Sequence, residues 1–242
     1  MDTNETNKYF LPAAVIVAGL FIAGAVMWNG SRPAAAPTDS TGSPKAVAVD
    51  IKNVKTDGDP YIGQANAQFT IAFWSDFQCP YCRAIEVGGV PQIPTPAALP
   101  DIIKNYVDTG KVKIVFMDFP FLGNDSITAA MYSHAIWKLY PEKYFEWRTA
   151  VFTEQDQEGD QGFGNAASID KLNATISGID AAKVAADVKA NESAYQAKIA
   201  SDKAEAQKVG INSTPSFVIG TEVIAGAYPY AKFQSVIDAL LK

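Results

Sequence analysis

Apolar positions change their spacing several times along the 242-residue chain, and each change predicts a different kind of element. From Leu11 to Trp28 they form 18 residues with no charge and no polar face. As a helix this stretch would be about 27 Å long, near the hydrocarbon thickness of a bilayer. Tyr9 and Phe10 at one end and Trp28 at the other suit the two interfaces. One transmembrane helix over 11–28 is therefore expected, since a buried core helix would show a polar side. The apolar run is longer than that of a usual cleaved leader. Pro37 also follows the small residues Ala34-Ala35-Ala36, where a cut would fall, so an uncleaved signal anchor is expected. Residues 1–10 are a short polar tail, and residues 29–55, rich in Ala, Pro, Ser, Thr and Gly to about Lys45, are a flexible linker.

Beyond the linker the spacing becomes that of a folded domain. Val47 to Ile51 alternates and predicts a first edge strand. Asp59-Pro60-Tyr61-Ile62-Gly63 reads as a turn-rich lead into Phe69 to Trp74, a buried strand. Arg83 to Val87 reads as the first turns of a helix. Gly88 to Pro100 carries four prolines and two adjacent glycines and interrupts it. Helical spacing resumes over Ala97 to Thr109, with Gly110 as the stop. Lys111 to Phe116 alternates as a strand that ends by Pro120. From Ser126 to Val209 only helical patterns remain, over 126–139, 142–154, 168–177, 180–190 and 192–209, with a glycine-rich loop from Gly159 to Gly164. Ser216–Ile219 and Glu222–Ala225 then predict a hairpin around Gly220-Thr221. Tyr230 to Leu241 closes the chain as an amphipathic helix with Phe233 and Ile237 on its apolar stripe. The order β–α–β, helical block, β–β–α defines an α/β fold with a helical insertion.

Composition narrows the chemistry. A net charge of -6, with no run of adjacent basic residues, gives no support to nucleic-acid binding. Two cysteines cannot build a disulfide framework, and with His134 as the one histidine they are too few for a closed zinc site. Neither a metal nor an organic cofactor is expected. The two cysteines, Cys79 and Cys82, are instead spaced C-x-x-C between the 69–74 strand and the helix that follows. That is the setting of a thiol–disulfide redox site. Free N–H groups and the peptide dipoles at the helix start favour a thiolate at Cys79. Pro80 suits the first helical turn, and Cys82, one turn on, is expected to be the more buried, resolving thiol. A structural disulfide there would close too short a loop to stabilise much. Around the pair, Phe77 and Tyr81 are expected to line a peptide-contact surface, and Asp76 to be solvated or to cap a turn. Arg83 either adds positive charge near the thiols or faces water. His134 is read as a surface or packing residue of the insertion, and the aromatics Trp137, Tyr140, Tyr144, Phe145 and Trp147 as its core.

Three segments carry a family resemblance. Phe73 to Cys82, reading F-W-S-D-F-Q-C-P-Y-C, resembles the active-site segment of DsbA-like thiol oxidoreductases of the thioredoxin superfamily. Tyr106 to Val112 with the strand ending at Phe119-Pro120 is the second match, and Gly210 to Ile219 with Ile224 to Ala227 and Tyr230 the third. The resemblance spans roughly 56–242 and implies a thioredoxin-like fold with a helical domain inserted at about 122–208. It also implies a cis peptide bond at Thr214-Pro215 that brings the Thr214 backbone beside Cys79. Pro80, Tyr81, Thr214 and Pro215 would support the two cysteines. Tyr81 stands where many oxidising relatives carry histidine, and Phe73 where several thioredoxin-like proteins carry a buried acid.

Redox logic then orients the anchor: stable thiol oxidation belongs outside the cytoplasm. The 1–10 tail is cytoplasmic and the 56–242 domain extracytoplasmic on a single-pass anchor. The leading function is disulfide donation to reduced or misoxidised secreted proteins, with a DsbB-like or vitamin-K-epoxide-reductase-like membrane partner as the resemblance implies. A reductase or isomerase on the same fold is the first alternative. A tethered peptide-binding, chaperone-like module with incidental cysteines is the second.

Overall fold

The computed structural model describes residues 49–242. The expected anchor at 11–28 and most of the linker lie outside the described residues. Among the described residues no helix is long and apolar enough to cross a membrane.

Five strands form one mixed sheet: β1 (Tyr61–Ile62), β2 (Phe69–Ser75), β3 (Val112–Asp118), β4 (Ser216–Ile219) and β5 (Glu222–Ala225), in the order β1-β3-β2-β4-β5. β2 and β3 run parallel in register from Phe69↔Val112 to Ser75↔Asp118, and β4 runs antiparallel to β2. Strand alternation splits the side chains between two cores. Ile71, Phe73, Ile114, Phe116 and Phe217 point to one face, and Ala72, Trp74, Val115, Met117 and Val218 to the other.

Seven helices surround the sheet. α1 (Pro80–Glu86) follows β2, and α2 (Leu99–Ile102) runs on into a wider π turn over Ile103–Val107. The insertion between β3 and β4 comprises α3 (Asn124–Leu139), α4 (Tyr144–Glu154), α5 (Ala166–Asn173) and α6 (Ala181–Lys208). α7 (Tyr230–Leu240) packs Phe233 and Ile237 onto the first face. The helical insertion and the closing helix stand as the sequence predicts them.

Three local expectations change. The segments 180–190 and 192–209 are one 28-residue helix. Neither glycine nor proline separates them, and the Asn191 side-chain amide folds back to donate to the Asp187 carbonyl one turn earlier, at 2.8 Å. Its length lets α6 bury Val184 and Val188 in the insertion core and Ala206 against the far face of the sheet. The edge strand expected at 47–51 is not found among its described residues. Asp50 instead caps a short 3-10 turn over Ile51–Asn53, accepting from the Lys52 N–H at 2.9 Å. β1 takes the edge position, pairing Tyr61 with Val115. The 97–109 helix begins only at Leu99, with Pro100 in its first turn.

Arg148 on α4 joins the insertion to the half of the fold that carries the two cysteines. It is 1% exposed, and its guanidinium donates to both Glu86 carboxylate oxygens on α1 and, at 2.7 Å, to Ser75 Oγ at the end of β2. Four phenylalanine rings enclose it, with Phe116 at 4.3 Å, Phe77 at 5.0 Å, Phe152 at 5.2 Å and Phe73 at 5.5 Å. The cation-π geometry replaces part of the hydration the charge loses. Burial pushes the Glu86 carboxyl up to about 7, against the opposing pull of Arg148. Removing one partner of such a pair strands the other charge. Arg148→Ala is expected to lower unfolding free energy by about 3–5 kcal/mol, and Glu86→Leu/Arg148→Met by much less, in denaturant melts. Equal losses would show that packing rather than the stranded carboxylate sets the cost.

Candidate active site

β2 ends at Ser75, and the next four residues turn the chain into α1. Asp76 organises that turn: its carboxylate accepts from the N–H groups of Gln78 at 2.8 Å, Phe121 at 2.8 Å and Leu122 at 3.2 Å. Its capping role is as expected, but it is buried rather than solvated, because it also holds the loop that follows β3. Burial pushes its carboxyl up, and these bonds oppose the rise. The Asp76 carbonyl accepts the Cys79 N–H at 3.0 Å. Cys79 then adopts the extended backbone of an N-cap, and Pro80 opens the helix.

The two thiols are free and unlike. Cys79 is 4% exposed and Cys82 fully buried. Cys79 Sγ donates to the Thr214 carbonyl at 3.4 Å. The Thr214–Pro215 peptide is cis, as the resemblance implies. The Pro215 carbonyl accepts from the Gly226 N–H at 2.7 Å, which ties this loop to the end of β5. A hydrogen bond from the Cys82 thiol brings Cys79 down to about 7, opposed by burial and helped by the Thr214 side-chain hydroxyl and the N–H groups of Cys82 and Tyr81. Burial pushes Cys82 well above the ordinary thiol value, and its position beside Cys79 adds to the rise. One sulfur therefore ionises readily at neutral pH and the other stays protonated, which is the asymmetry thiol exchange requires.

The structure separates the neighbours that the sequence treats alike. Tyr81 is 52% exposed beside Cys79. Phe77 is not on that surface. It is buried between Phe152, stacked at 5.2 Å, and Trp147, edge-on at 5.6 Å, because the insertion covers it. Arg83 is half-buried, and its Nη1 donates to the Gln155 carbonyl at the end of α4. Of the surface and packing roles open to His134, the structure shows packing: it is buried, stacked on Tyr195, with Nε2 2.8 Å from an Asp118 carboxylate oxygen. Glu86, Arg148 and Gln155 were missed. Their partners lie 62 to 78 residues away in the chain, so no local pattern marks them.

Among the described residues, Asp118, His134 and Asp202 form a group with ligand atoms within 4.8 Å of one another. The protein already supplies a cation there. Lys198 Nζ bonds Asp202 and lies 2.6 Å from Asp59 Oδ1. The cluster reads as a polar tie between α6 and the sheet.

A mixed sheet, a dithiol at the start of its first long helix and a cis proline against the outer thiol define a thioredoxin-like protein. The Thioredoxin family model matches residues 55–239, and the chain belongs to that family. Among its relatives is a probable disulfide bond formation protein D of Bacillus anthracis, 25% identical over 182 residues, covering 75% of this chain and 77% of the relative. The crystal structure of oxidised BdbD from Bacillus subtilis superimposes with a TM-score of 0.68 at 22% identity, over 81% of this chain and 98% of that one. The thiol-disulfide exchange protein alpha-DsbA2 from Wolbachia pipientis gives a TM-score of 0.61 at 27% identity, over 75% and 87%.

The lowered Cys79 value links stability to pH. A thiol depressed from about 9 to about 7 stabilises the folded dithiol fully above pH 9, and that contribution is lost as pH falls through 7. The reduced chain is expected to gain about 2 kcal/mol over its Cys79→Ser variant between pH 6 and pH 9. Denaturant unfolding of both across that range measures it, and parallel pH profiles would contradict it.

Proposed function

We propose that this chain is a membrane-tethered, extracytoplasmic thiol:disulfide oxidoreductase that introduces disulfides into secreted or envelope proteins through Cys79 and Cys82. The observation that carries the reading is the unequal thiol pair, with Cys79 at a helix start against the Thr214 carbonyl and Cys82 sealed beneath it. Relatives named disulfide bond formation protein D support the direction.

The exchange balances without any cofactor. A substrate thiolate attacks Cys79 Sγ of the 79–82 disulfide, forming a mixed disulfide. The Cys79–Cys82 bond breaks, and Cys82 takes up the electron pair and a proton. The substrate's second thiolate then attacks its own sulfur in the mixed disulfide. Cys79 departs as a thiolate, and its lowered pKa makes it a good leaving group. The substrate loses two electrons and the dithiol gains them. Pro80 shapes the helix start. Tyr81 and the Thr214-Pro215 backbone offer the contact surface for an extended substrate segment. A quinone-linked membrane partner of the DsbB or vitamin-K-epoxide-reductase type takes the electrons away. Residues 11–28 anchor the chain, 1–10 stay in the cytoplasm, 29–55 tether, and 56–242, with the insertion at about 122–208, work outside.

One observation favours a second reading. A Cys79 value near 7 lies at the thioredoxin end of the known range rather than the DsbA end. A milder pair of that kind also suits a reductase or isomerase. The reduction potential of the full chain against glutathione separates the two. A value near about -150 mV or above marks a disulfide donor, and one near about -250 mV or below a reductase. On the donor reading Cys79→Ser abolishes transfer to a reduced secreted substrate; on the reductase reading Cys82→Ser, which lacks the resolving thiol, accumulates a mixed disulfide between Cys79 and an oxidised substrate. A double Cys79→Ser/Cys82→Ser variant that retained full function would leave only the peptide-binding reading.

A further inference from the structure

A side-chain amide from the insertion reaches the backbone of the dithiol loop. Gln155 is where the chain leaves α4, turning from helical to extended backbone at φ -53 and ψ 129. It is buried, and its side-chain amide lies against the active-site loop. Nε2 donates to the Phe77 carbonyl at 2.7 Å and to the Cys79 carbonyl at 3.2 Å. A primary amide has two N–H donors, one for each of these oxygens. The Gln155 main-chain carbonyl accepts from Arg83 on α1, so the same residue grips both the loop and the helix it leads into. Eight residues further on, the Phe163 carbonyl accepts from Gln78 Nε2 at 2.9 Å. The Asp156 carboxylate closes the intervening loop by accepting the Phe163 N–H at 2.9 Å.

We propose that Gln155 is a positioning residue for the dithiol: by holding the Phe77 and Cys79 carbonyls, its amide sets how strongly the Cys79–Cys82 pair oxidises. The inference rests on the reading of that pair as redox-active. The Cys79 carbonyl is the hinge of the site, because it also accepts the N–H groups of Cys82 at 3.0 Å and Arg83 at 3.1 Å. A third donor on that oxygen fixes the plane of the Cys79–Pro80 peptide. That plane decides where the Tyr81 and Cys82 N–H groups point, and these groups support the Cys79 sulfur when it carries charge. In the disulfide the sulfur carries none. Whatever favours the charged sulfur therefore favours the dithiol over the disulfide and makes the pair a stronger oxidant. A side chain that only satisfied two buried carbonyls would stabilise both redox forms alike and leave the potential where it was.

Gln155→Met keeps the volume and removes both donors, and Gln155→Glu keeps the shape and sets a carboxylate against the two carbonyls. Asn173→Ala serves as the control. Asn173 is a buried amide of the insertion that accepts from Trp147 Nε1 at 2.7 Å and makes no bond to the active-site loop. The full chain and each variant are equilibrated with glutathione buffers, and the Cys79 thiolate is titrated by ultraviolet absorbance. In Gln155→Met the equilibrium is expected to move about tenfold toward the protein disulfide, about 30 mV more negative, with the Cys79 titration moved to higher pH. Gln155→Glu is expected to move further the same way, and Asn173→Ala to lose stability with an unchanged potential. Unchanged potentials in both Gln155 variants would overturn the proposal, as would an equal shift in Asn173→Ala. A wild-type chain that never forms the 79–82 disulfide overturns the redox reading itself, and that result is distinct because it precedes any variant.

Discussion

A guanidinium buried among four phenylalanine rings is the constraint on which the rest of this structure depends. Arg148 cannot be neutralised, so its charge must be met where it sits. It is met by Glu86 from the helix that starts at the dithiol, by Ser75 from the end of the central strand, and by the faces of Phe73, Phe77, Phe116 and Phe152. These partners come from β2, its following loop, α1, β3 and α4. One side chain thus fixes the angle between the thioredoxin-like half and the insertion. Any slip of α4 along α1 would strand a buried charge, which costs far more than a small gap in apolar packing.

The dithiol inherits that rigidity. α1 is short, spanning Pro80–Glu86, and it is held at both ends by α4. Arg148 meets Glu86 at the last residue of α1, while Gln155 meets the Cys79 carbonyl and Arg83 at its start. Between these ties Cys79 keeps its N–H environment and its hydrogen bond to Thr214, and Cys82 stays out of water. The unequal chemistry of two identical side chains is therefore a product of placement: one terminates a strand–turn segment at the helix start, and the other lies inside the helix against the core.

The insertion covers the side of the Cys79 loop that carries Phe77 and leaves open the side that carries Tyr81. Access to Cys79 is accordingly from the face shared with Thr214 and Pro215. On the opposite face of the sheet, α6 anchors through Trp74 Nε1, which donates to the Asp202 carbonyl, and through the Lys198 cluster with Asp59 and Asp202. Two separate ties, one on each face, make the insertion part of the same rigid body as the sheet.

What the sequence by itself determined is whatever rests on neighbours along the chain. The C-x-x-C between strand and helix, the alternation of β2 and β3, the hairpin around Gly220 and the helical run from Ser126 to Val209 are local signals, set by periodicity and turn chemistry. The Thr214-Pro215 site was legible only through resemblance, since nothing in its own residues marks it. Tertiary structure decided everything that depends on meeting a distant partner. Phe77 and Tyr81 flank the same cysteine, yet only the arrival of Phe152 and Trp147 buries the first and leaves the second exposed. Asp76 reads as a solvated cap until the loop at Phe121 closes over it. α6 reads as two helices because its apolar residues serve two different cores, which no single helical stripe can show. Glu86, Arg148 and Gln155 carry no local signal, because a buried charge or amide is defined by the groups that satisfy it, and those come from elsewhere in the chain.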